Sequence, residues 1–411
     1  MISLGEKIKK RRKQLKLTLK ELAGDDFSYS LLSQIENNKA KPSMATLHKL
    51  ADKLSLPINE LINPIEVDRY RNLLVEFEKL IVMPYERNPE IDKKIVKAIE
   101  PILENIQFNS FEEARIVELY VIAYFYLHNE LKLELLRHSI TYYEQIGLIN
   151  KKIQAQLFIC KSYINQQSYN ECEVIMQEIL QQIEGGEYVF EPTALIDSYY
   201  YKAIIEAALG NYTLASSYTN KCLELMKQAS LYYKIDAIYR LQLLLYIQLN
   251  NTFEGQANLQ RLYNYTQFTR NTYDFIYYSY SKFHFENRIQ LNEGLSEEIQ
   301  QFIKEFSQQQ DISLSILYNQ ELAYTLWKKG LYAEALQQVK EYEIPPYVIH
   351  PLERAAGYEI LAIRADCYYH LGNEEQAFED IVYSKQHVKP MPNSTYKNLI
   401  YHIYDAIFKK S

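Results

Sequence analysis

The sequence predicts an all-α chain: a five-helix domain over residues 1–63, a connecting helix or linker over residues 64–88, and a helical repeat array over residues 89–411. Three observations carry this. Apolar residues recur at helical spacing along most of the chain, and no alternating strand pattern of useful length appears. Glycine and proline, 11 and 12 of 411 residues, fall well below ordinary usage, which disfavours turn-dense β-sandwiches and Gly-rich phosphate loops. Small residues, turn residues and aromatics also return in one layout at spacings near 40 residues. The length itself exceeds what one compact core normally serves.

The first helix is expected over about Ser3–Leu15, with Leu4, Ile8 and Leu15 as its apolar stripe and Lys9, Lys10, Arg11, Arg12 and Lys13 facing outward. Thr18-Leu-Lys-Glu21 reads as a capping box that starts the second helix, each end satisfying a free backbone N–H; Leu22 and Ala23 then point inward. Ser28 is the expected N-cap of the third helix, Tyr29–Glu36. Leu31, Leu32 and Ile35 must be its core face, leaving Tyr29, Ser30, Ser33 and Gln34 on the open face, where hydrogen-bonding side chains suit a major groove. Asn37-Asn38 ends it, because Asn tolerates the left-handed conformation. Lys39 and Lys41 follow, placed for phosphates. Pro42-Ser43 opens a fourth helix with Leu47, Leu50, Ala51 and Leu54 inward, and a short fifth helix, Ile58–Ile62, closes the domain.

Charge supports the division. Residues 1–64 hold 12 Lys and Arg against 7 Asp and Glu, a net +5, which leaves −12 for the remainder of a chain whose total is −7. A basic head on an acidic body is the asymmetry of a nucleic-acid-binding head. Cys160, Cys172, Cys222 and Cys367 form no C-x-x-C pair and read as small buried residues in a reducing compartment. The charged N-terminus and the lack of any 18-residue apolar run point to a cytoplasmic chain with no signal peptide or membrane span. No metalloprotease, P-loop, nucleophile-elbow or paired-Cys pattern is present, so neither an enzyme nor a metal or cofactor is expected. Isolated histidines such as His284 and His370 read as ordinary surface or core residues.

The first sixty residues closely resemble the phage-repressor-like (XRE/Cro) helix-turn-helix family, through Leu4-Gly5, Ile8, Arg11-Arg12, Leu17-Thr18, Glu21-Leu22-Ala23, Ser33-Gln34-Ile35-Glu36-Asn37, Pro42-Ser43, Leu47 and Leu50-Ala51. The resemblance implies that the third helix is the recognition helix, with Ser28, Tyr29, Ser30, Ser33, Gln34, Lys39 and Lys41 at double-stranded DNA. One position departs: many members carry Gln after the Thr that opens helix two, where it touches a phosphate, and here that position is Leu19.

In the body, one hairpin layout repeats: Ala203…Gly210-Asn-Tyr212…Ala215, Ala323…Gly330-Leu-Tyr332…Ala335, and Ala365…Tyr368…Gly372…Ala377, with weaker copies at Cys160…Cys172 and Tyr246…Gly255. The turn positions Gly210, Asn250, Gly330 and Gly372 imply one degenerate repeat near Leu291–Gly294. Small residues let the helices of a pair approach, and aromatics fill the gaps between pairs. The layout resembles the tetratricopeptide repeat, with seven to nine pairs from about Pro89 and a concave groove. Val67–Met83 is expected as a connecting helix, and Tyr396–Lys409 as a cap on the array.

Head and body together resemble the peptide-pheromone receptors of Gram-positive bacteria, the RRNPP group, and in length the neutral-protease-regulator type rather than the shorter virulence-regulator type. The resemblance implies a cytoplasmic homodimer that binds a two-fold-symmetric operator and is controlled by a short signalling peptide in the groove. The first helix of each pair would line that groove, with an inward face formed by Asp197, Tyr200, Arg240, Tyr280, His284, Asn287, Arg288, Gln320, Tyr324, Lys328 and Asp366. Arg240 and Arg288 would fork onto a peptide carboxylate; Asn287 and Gln320 would hold its backbone. Trp327, the single Trp, reads as core. Two other readings stand beside this one: a repeat scaffold for a protein partner such as a phosphorelay component, and a phage-type repressor with no ligand.

Overall fold

The computed structural model describes residues 3–56, 58–61, 64–81, 88–289, 293–306 and 312–410. The chain forms two compact units, Met1–Ile159 and Cys160–Ser411, and the described residues form helices and loops without a strand.

The first unit begins with α1 (Leu4–Gln14), α2 (Leu19–Ala23), α3 (Tyr29–Glu36), α4 (Met44–Lys53) and α5 (Ile58–Leu61). Ile62 and Asn63 of the expected fifth helix and hinge lie outside the described residues. Capping sets the starts. Ser3 and Glu6 form a capping box on α1, Thr18 and Glu21 another on α2, and the Ser28 hydroxyl accepts from Leu31 N–H at 3.1 Å. Asn38 takes the left-handed conformation (φ 56°) just beyond α3. The core of the five helices is Ile8, Leu22, Leu32, Ile35, Leu50, Ala51, Leu54 and their neighbours.

Two residues behave differently from the sequence expectation: Leu15, expected on the apolar stripe, is the C-cap of α1 and exposed, and Arg12 turns inward. Arg12 is buried rather than outward: its guanidinium forks onto Glu36 at 2.6 and 2.9 Å and donates to the Leu17 carbonyl at 2.8 Å. Leu47, expected inward, is buried in a cluster that joins Leu4 and Ile58 of the head to Ala114, Tyr142 and Tyr143 of α8 (Phe111–His128) and α9 (Leu133–Gln145). The five helices are therefore docked on the first helical hairpin. Along the connecting helix α6 (Pro64–Ile81), Arg71 and Glu78 pair with Glu112 and Arg115 of α8. Met83, the expected end of that helix, is outside the described residues. The unit continues with α7 (Pro89–Ile99) and runs into α10 (Ile149–Asn165).

The second unit carries α11 (Tyr169–Gly185), α12 (Pro192–Ala208), α13 (Tyr212–Ala229), α14 (Ile235–Gln248), α15 (Thr252–Thr269), α16 (Thr272–Ile289) and α17 (Leu295–Phe306). It continues through α18 (Ile312–Lys328), α19 (Tyr332–Val339), α20 (Pro351–His370), α21 (Glu374–Val388) and α22 (Thr395–Lys410). Hairpins form where the small residues predict them: Ala203, Ala215, Ala323, Ala335, Ala365 and Ala377 are fully buried. The turns at Gly210, Asn250, Gly330 and Gly372 all have positive φ, which Gly and Asn adopt at little cost. The degenerate turn lies partly outside the described residues (290–292). The first helices of successive pairs pack in one layer, α12 on α14, α14 on α16, α16 on α18 and α18 on α20, and α20 returns to touch α12.

The C-terminal helix does more than cap an end. The segment leading into it crosses the inner layer. Asn393 carbonyl accepts from Tyr212 hydroxyl at 2.6 Å, Thr395 donates through N–H and hydroxyl to Gln248, and Tyr396 hydroxyl meets His284 Nε2 at 2.8 Å.

Candidate functional site

Two surfaces hold the residues that the sequence singles out. On α3 and the segments flanking it, Ser28, Tyr29, Ser30, Gln34, Lys39 and Lys41 are exposed and Ser33 is half-buried, while Leu32 and Ile35 are buried. The helix is held rigidly behind this face. The Arg12–Glu36 fork ties its last turn to α1, and Gly5 lets α1 approach so closely that an added Cβ would lie 2.4 Å from the Ile35 carbonyl oxygen. Gly5 N–H donates to Asn38 Oδ1 at 3.1 Å, fixing the turn that carries Lys39 and Lys41.

In the second unit a cavity of about 320 Å³ opens between α14, α16, α18 and α20. Its walls are mostly apolar: Leu243, Leu244 and Ile247 from α14, Tyr277 and Tyr280 from α16, Ile316 and Leu317 from α18, and Ala356 and Gly357 from α20. The loop before α20 adds Tyr342, Ile344, Pro345, Tyr347 and Val348. Arg364 anchors that loop's root by donating to the carbonyls of Val339, Lys340 and Tyr342 while forking onto Asp380. The polar groups on the cavity wall include Arg240, Ser281, His284, Gln320, Glu353 and the Tyr396 hydroxyl.

Beside the cavity lies a buried ionic network. Arg288 donates four hydrogen bonds, two to Glu359 at 2.6 and 3.1 Å, one to Glu321 at 2.9 Å and one to the His284 carbonyl at 3.1 Å. Glu321 also receives Asn287 Nδ2 and meets His284 Nδ1 at 2.7 Å. The two carboxylates titrate apart. Burial opposes ionisation of Glu321, but the Arg288 charge and the His284 and Asn287 contacts hold its carboxyl down at about 2. Burial dominates at Glu359 and, with the Glu321 charge, raises it to about 7 against the pull of Arg288. Burial and the Arg288 charge push His284 below the ordinary histidine value.

Residues 5–67 match the helix-turn-helix domain family. The N-terminal part of the chain is a helix-turn-helix domain. A comparison with curated protein sequences finds no match. Among solved structures, the chain is similar to PlcR of Bacillus thuringiensis in complex with the peptide PapR7 and DNA, at 16% identity over 66% of this chain and 96% of that one, TM-score 0.36. NprR in complex with its cognate peptide NprX is similar at 13% identity over 77% and 83%, TM-score 0.49. A point mutant of PrgX is similar at 14% over 80% and 95%, TM-score 0.25.

The helix-turn-helix domain keeps its expected face together in solvent, but the groove residues divide. Arg240, Tyr280, His284 and Gln320 line the cavity. Asn287, Arg288 and Tyr324 are behind it: Asn287 is bonded to Glu321 and Thr325, and Tyr324 lies under the Arg288 guanidinium at 4.6 Å. Lys328 donates to the Asn287 carbonyl at 2.7 Å. Asp366 accepts from Trp327 Nε1 at 2.7 Å, so Trp327 is packed and bonded. Asp197 takes Lys234 and the Tyr233 hydroxyl, and half-buried Tyr200 packs in the α12–α14 cluster. The assignment of Arg288 to a ligand carboxylate therefore meets two internal carboxylates already in place. Sequence reasoning missed Glu321 and Glu359, although Glu359 stands inside the apolar run Gly357–Ile363, which signals a buried acid. It also missed the loop wall Tyr342–Val348, where Pro345-Pro346 marks a break between helices. Among the described residues no His, Cys, Asp and Glu cluster could hold a metal ion, and no helix is long and apolar enough to cross a membrane. All four cysteines are buried and unpaired.

Proposed function

We propose that the chain is a sequence-specific DNA-binding transcriptional regulator whose second unit takes a short peptide in the cavity between α14 and α20. The observation that carries this reading is the pairing of a rigidly backed, exposed polar face on α3 with an apolar cavity that retains a few polar groups. The first suits base edges and phosphates. The second has the size and lining of a ligand site, at the small end of the usual range. A pocket this size holds one or two side chains of a peptide, the rest running outside it. One helix-turn-helix domain covers a half-site, so the operator is two-fold symmetric and the protein binds it as a homodimer.

A bound peptide acts first on the packing of the second unit. The cavity is walled by four helices of one layer, and a ligand that touches several of them favours one arrangement of that layer by its differential affinity. The DNA-binding helices are docked on the first hairpin through Leu47, so they respond as part of their unit rather than as a loosely tethered head.

Native mass spectrometry of the protein isolated from its own cells tests the reading. A bound mass of several hundred daltons, lost on denaturation, is expected. A protein-sized adduct instead would favour the scaffold role, for which the exposed Tyr232 and Phe268 rings, 6.3 Å apart, are a specific surface. Neither adduct would leave a repressor without a ligand.

A further inference from the structure

We infer that the cavity selects a peptide that presents a primary ammonium group next to a bulky apolar side chain; this rests on the peptide reading above. The charge inventory of the mouth decides the sign. Among the described residues the Arg, Lys, Asp and Glu side chains on the cavity wall are Arg240 and Glu353. Arg240 is paired with Asp236 at 2.9 Å, and Lys234 with Asp197. His350, the N-cap of α20, is pushed below the ordinary histidine value by burial, against the pull of the Glu353 charge and of the Ile204 carbonyl that it bonds. Arg354 does not line the cavity and spends its guanidinium on the Val348 carbonyl and the Tyr358 hydroxyl. Glu353 is left: it lines the cavity, is exposed, and has no basic partner at ion-pair distance among the described residues. Deeper in, Arg288 is already shared by Glu321 and Glu359. Among the described residues the cavity wall thus offers no cation without a carboxylate beside it, and Glu353 is its carboxylate without an ion-pair partner.

A second observation aligns the backbone. Arg240 Nε is buried without an acceptor, a state that costs free energy until an acceptor arrives. A neutral carbonyl oxygen fits it better than a carboxylate, because Asp236 already stands on the same guanidinium. An ammonium on Glu353, a carbonyl on Arg240 Nε and an apolar side chain against Leu244, Ile247, Tyr277 and Val348 describe one end of a peptide. An N-terminal ammonium and a lysine side chain share this chemistry.

Calorimetric titration of the full chain with four probes decides it: Leu-Phe-Leu amide with a free amino end, its N-acetyl form, acetyl-Lys-Phe-Leu amide, and acetyl-Leu-Phe-Leu with a free carboxylate. The free-amino or lysine probe should bind at least tenfold tighter than the acetyl amide, and whichever of the two does so names the source of the ammonium. In Glu353→Gln that preference should collapse to within about twofold; because Glu353 is exposed, the variant's unfolding midpoint should match that of the parent. Equal binding of the ammonium probes and the acetyl amide overturns the inference and leaves the peptide reading standing. Tightest binding of the free carboxylate reverses the sign and overturns it too. Failure of all four probes at millimolar concentration removes the peptide reading along with it.

Discussion

The polar side chains of α3 stand in solvent, whereas those at comparable helical spacing on α16 and α18 are turned into a buried network. Ser30 and Gln34 are exposed; His284, Asn287, Gln320 and Glu321 are buried. Both sets sit opposite apolar faces in the sequence. The difference lies in what covers the second face. A small domain has one core, so the face away from it is free. In the second unit each first helix packs on its partner helix and also on the next first helix in the layer, and the segment leading into α22 crosses what remains. A polar residue there is desolvated and must find a partner. Under the proposed function, the polar face of α3 meets DNA as it stands, while the cavity draws its ligand specificity from the few polar groups left over.

The sharpest way to break this contrast is to delete one polar group from each surface. Arg288→Ala leaves Glu321 and Glu359 buried beside each other without their cation, and should cost about 3–5 kcal/mol of stability, read as a large fall in denaturant midpoint. Gln34→Ala should leave the midpoint within about 0.5 kcal/mol and instead relax base preference at one operator position by about 1–3 kcal/mol in a selected-site assay. A loss at Arg288 below about 1 kcal/mol would mean that the network is solvated and open to ligand after all.

A smaller effect comes from protons. Glu359 is raised to about 7 in the folded chain from 4.5. Between those values the folded protein holds a proton that the unfolded chain has released, so this group's contribution to stability falls as pH rises through that window. His284, pushed below 6.5, acts in the opposite direction: its contribution falls as pH drops below the unfolded value. Glu359→Gln removes the first of these effects and leaves the second. Urea unfolding at pH 5 and pH 7.5 should show the parent losing stability relative to the variant on going up. Parallel behaviour of the two proteins would show that Glu359 is ionised throughout and that Arg288 carries both charges.

Legibility followed the same line. The helices of the head could be placed from caps and apolar spacing because its signals are local: Thr18 and Glu21 satisfy each other across one turn, and Asn38 ends α3 by its own backbone preference. The burial of Arg12 is not legible, because its partner, Glu36, is 24 residues away and a run of five basic residues looks uniformly solvated. Leu47 points inward as expected, but an inward apolar residue does not say which neighbouring core it enters. In the body the hairpins were legible from Ala203, Gly210, Ala215 and their counterparts. The side-chain network was not, because it joins α16, α18, α20 and α22 across separations of up to 112 residues. Spacing within one helix carries no information about such partners.

The smallest expected effect tests how completely the head's surface can be read from local sequence. Leu19 opens α2 directly after the Thr18 cap and is half-buried against the head's core. It occupies the position where related domains place a glutamine on a phosphate. Leu19→Gln supplies a neutral donor there, worth about 0.5–1.5 kcal/mol as one hydrogen bond, set against a few tenths lost from partial apolar burial, roughly in line with the area involved. Because phosphates carry no sequence information, the gain should be the same on every DNA tested. Because glutamine brings no charge, the slope of log affinity against log salt should stay fixed. Lys41→Ala is the control with the opposite signature: weaker binding to all sequences and a slope reduced by about 1. A Leu19→Gln variant whose gain depends on the operator sequence would place this residue at a base rather than a phosphate, and α2 would then lie deeper in the groove than the exposed face of α3 implies.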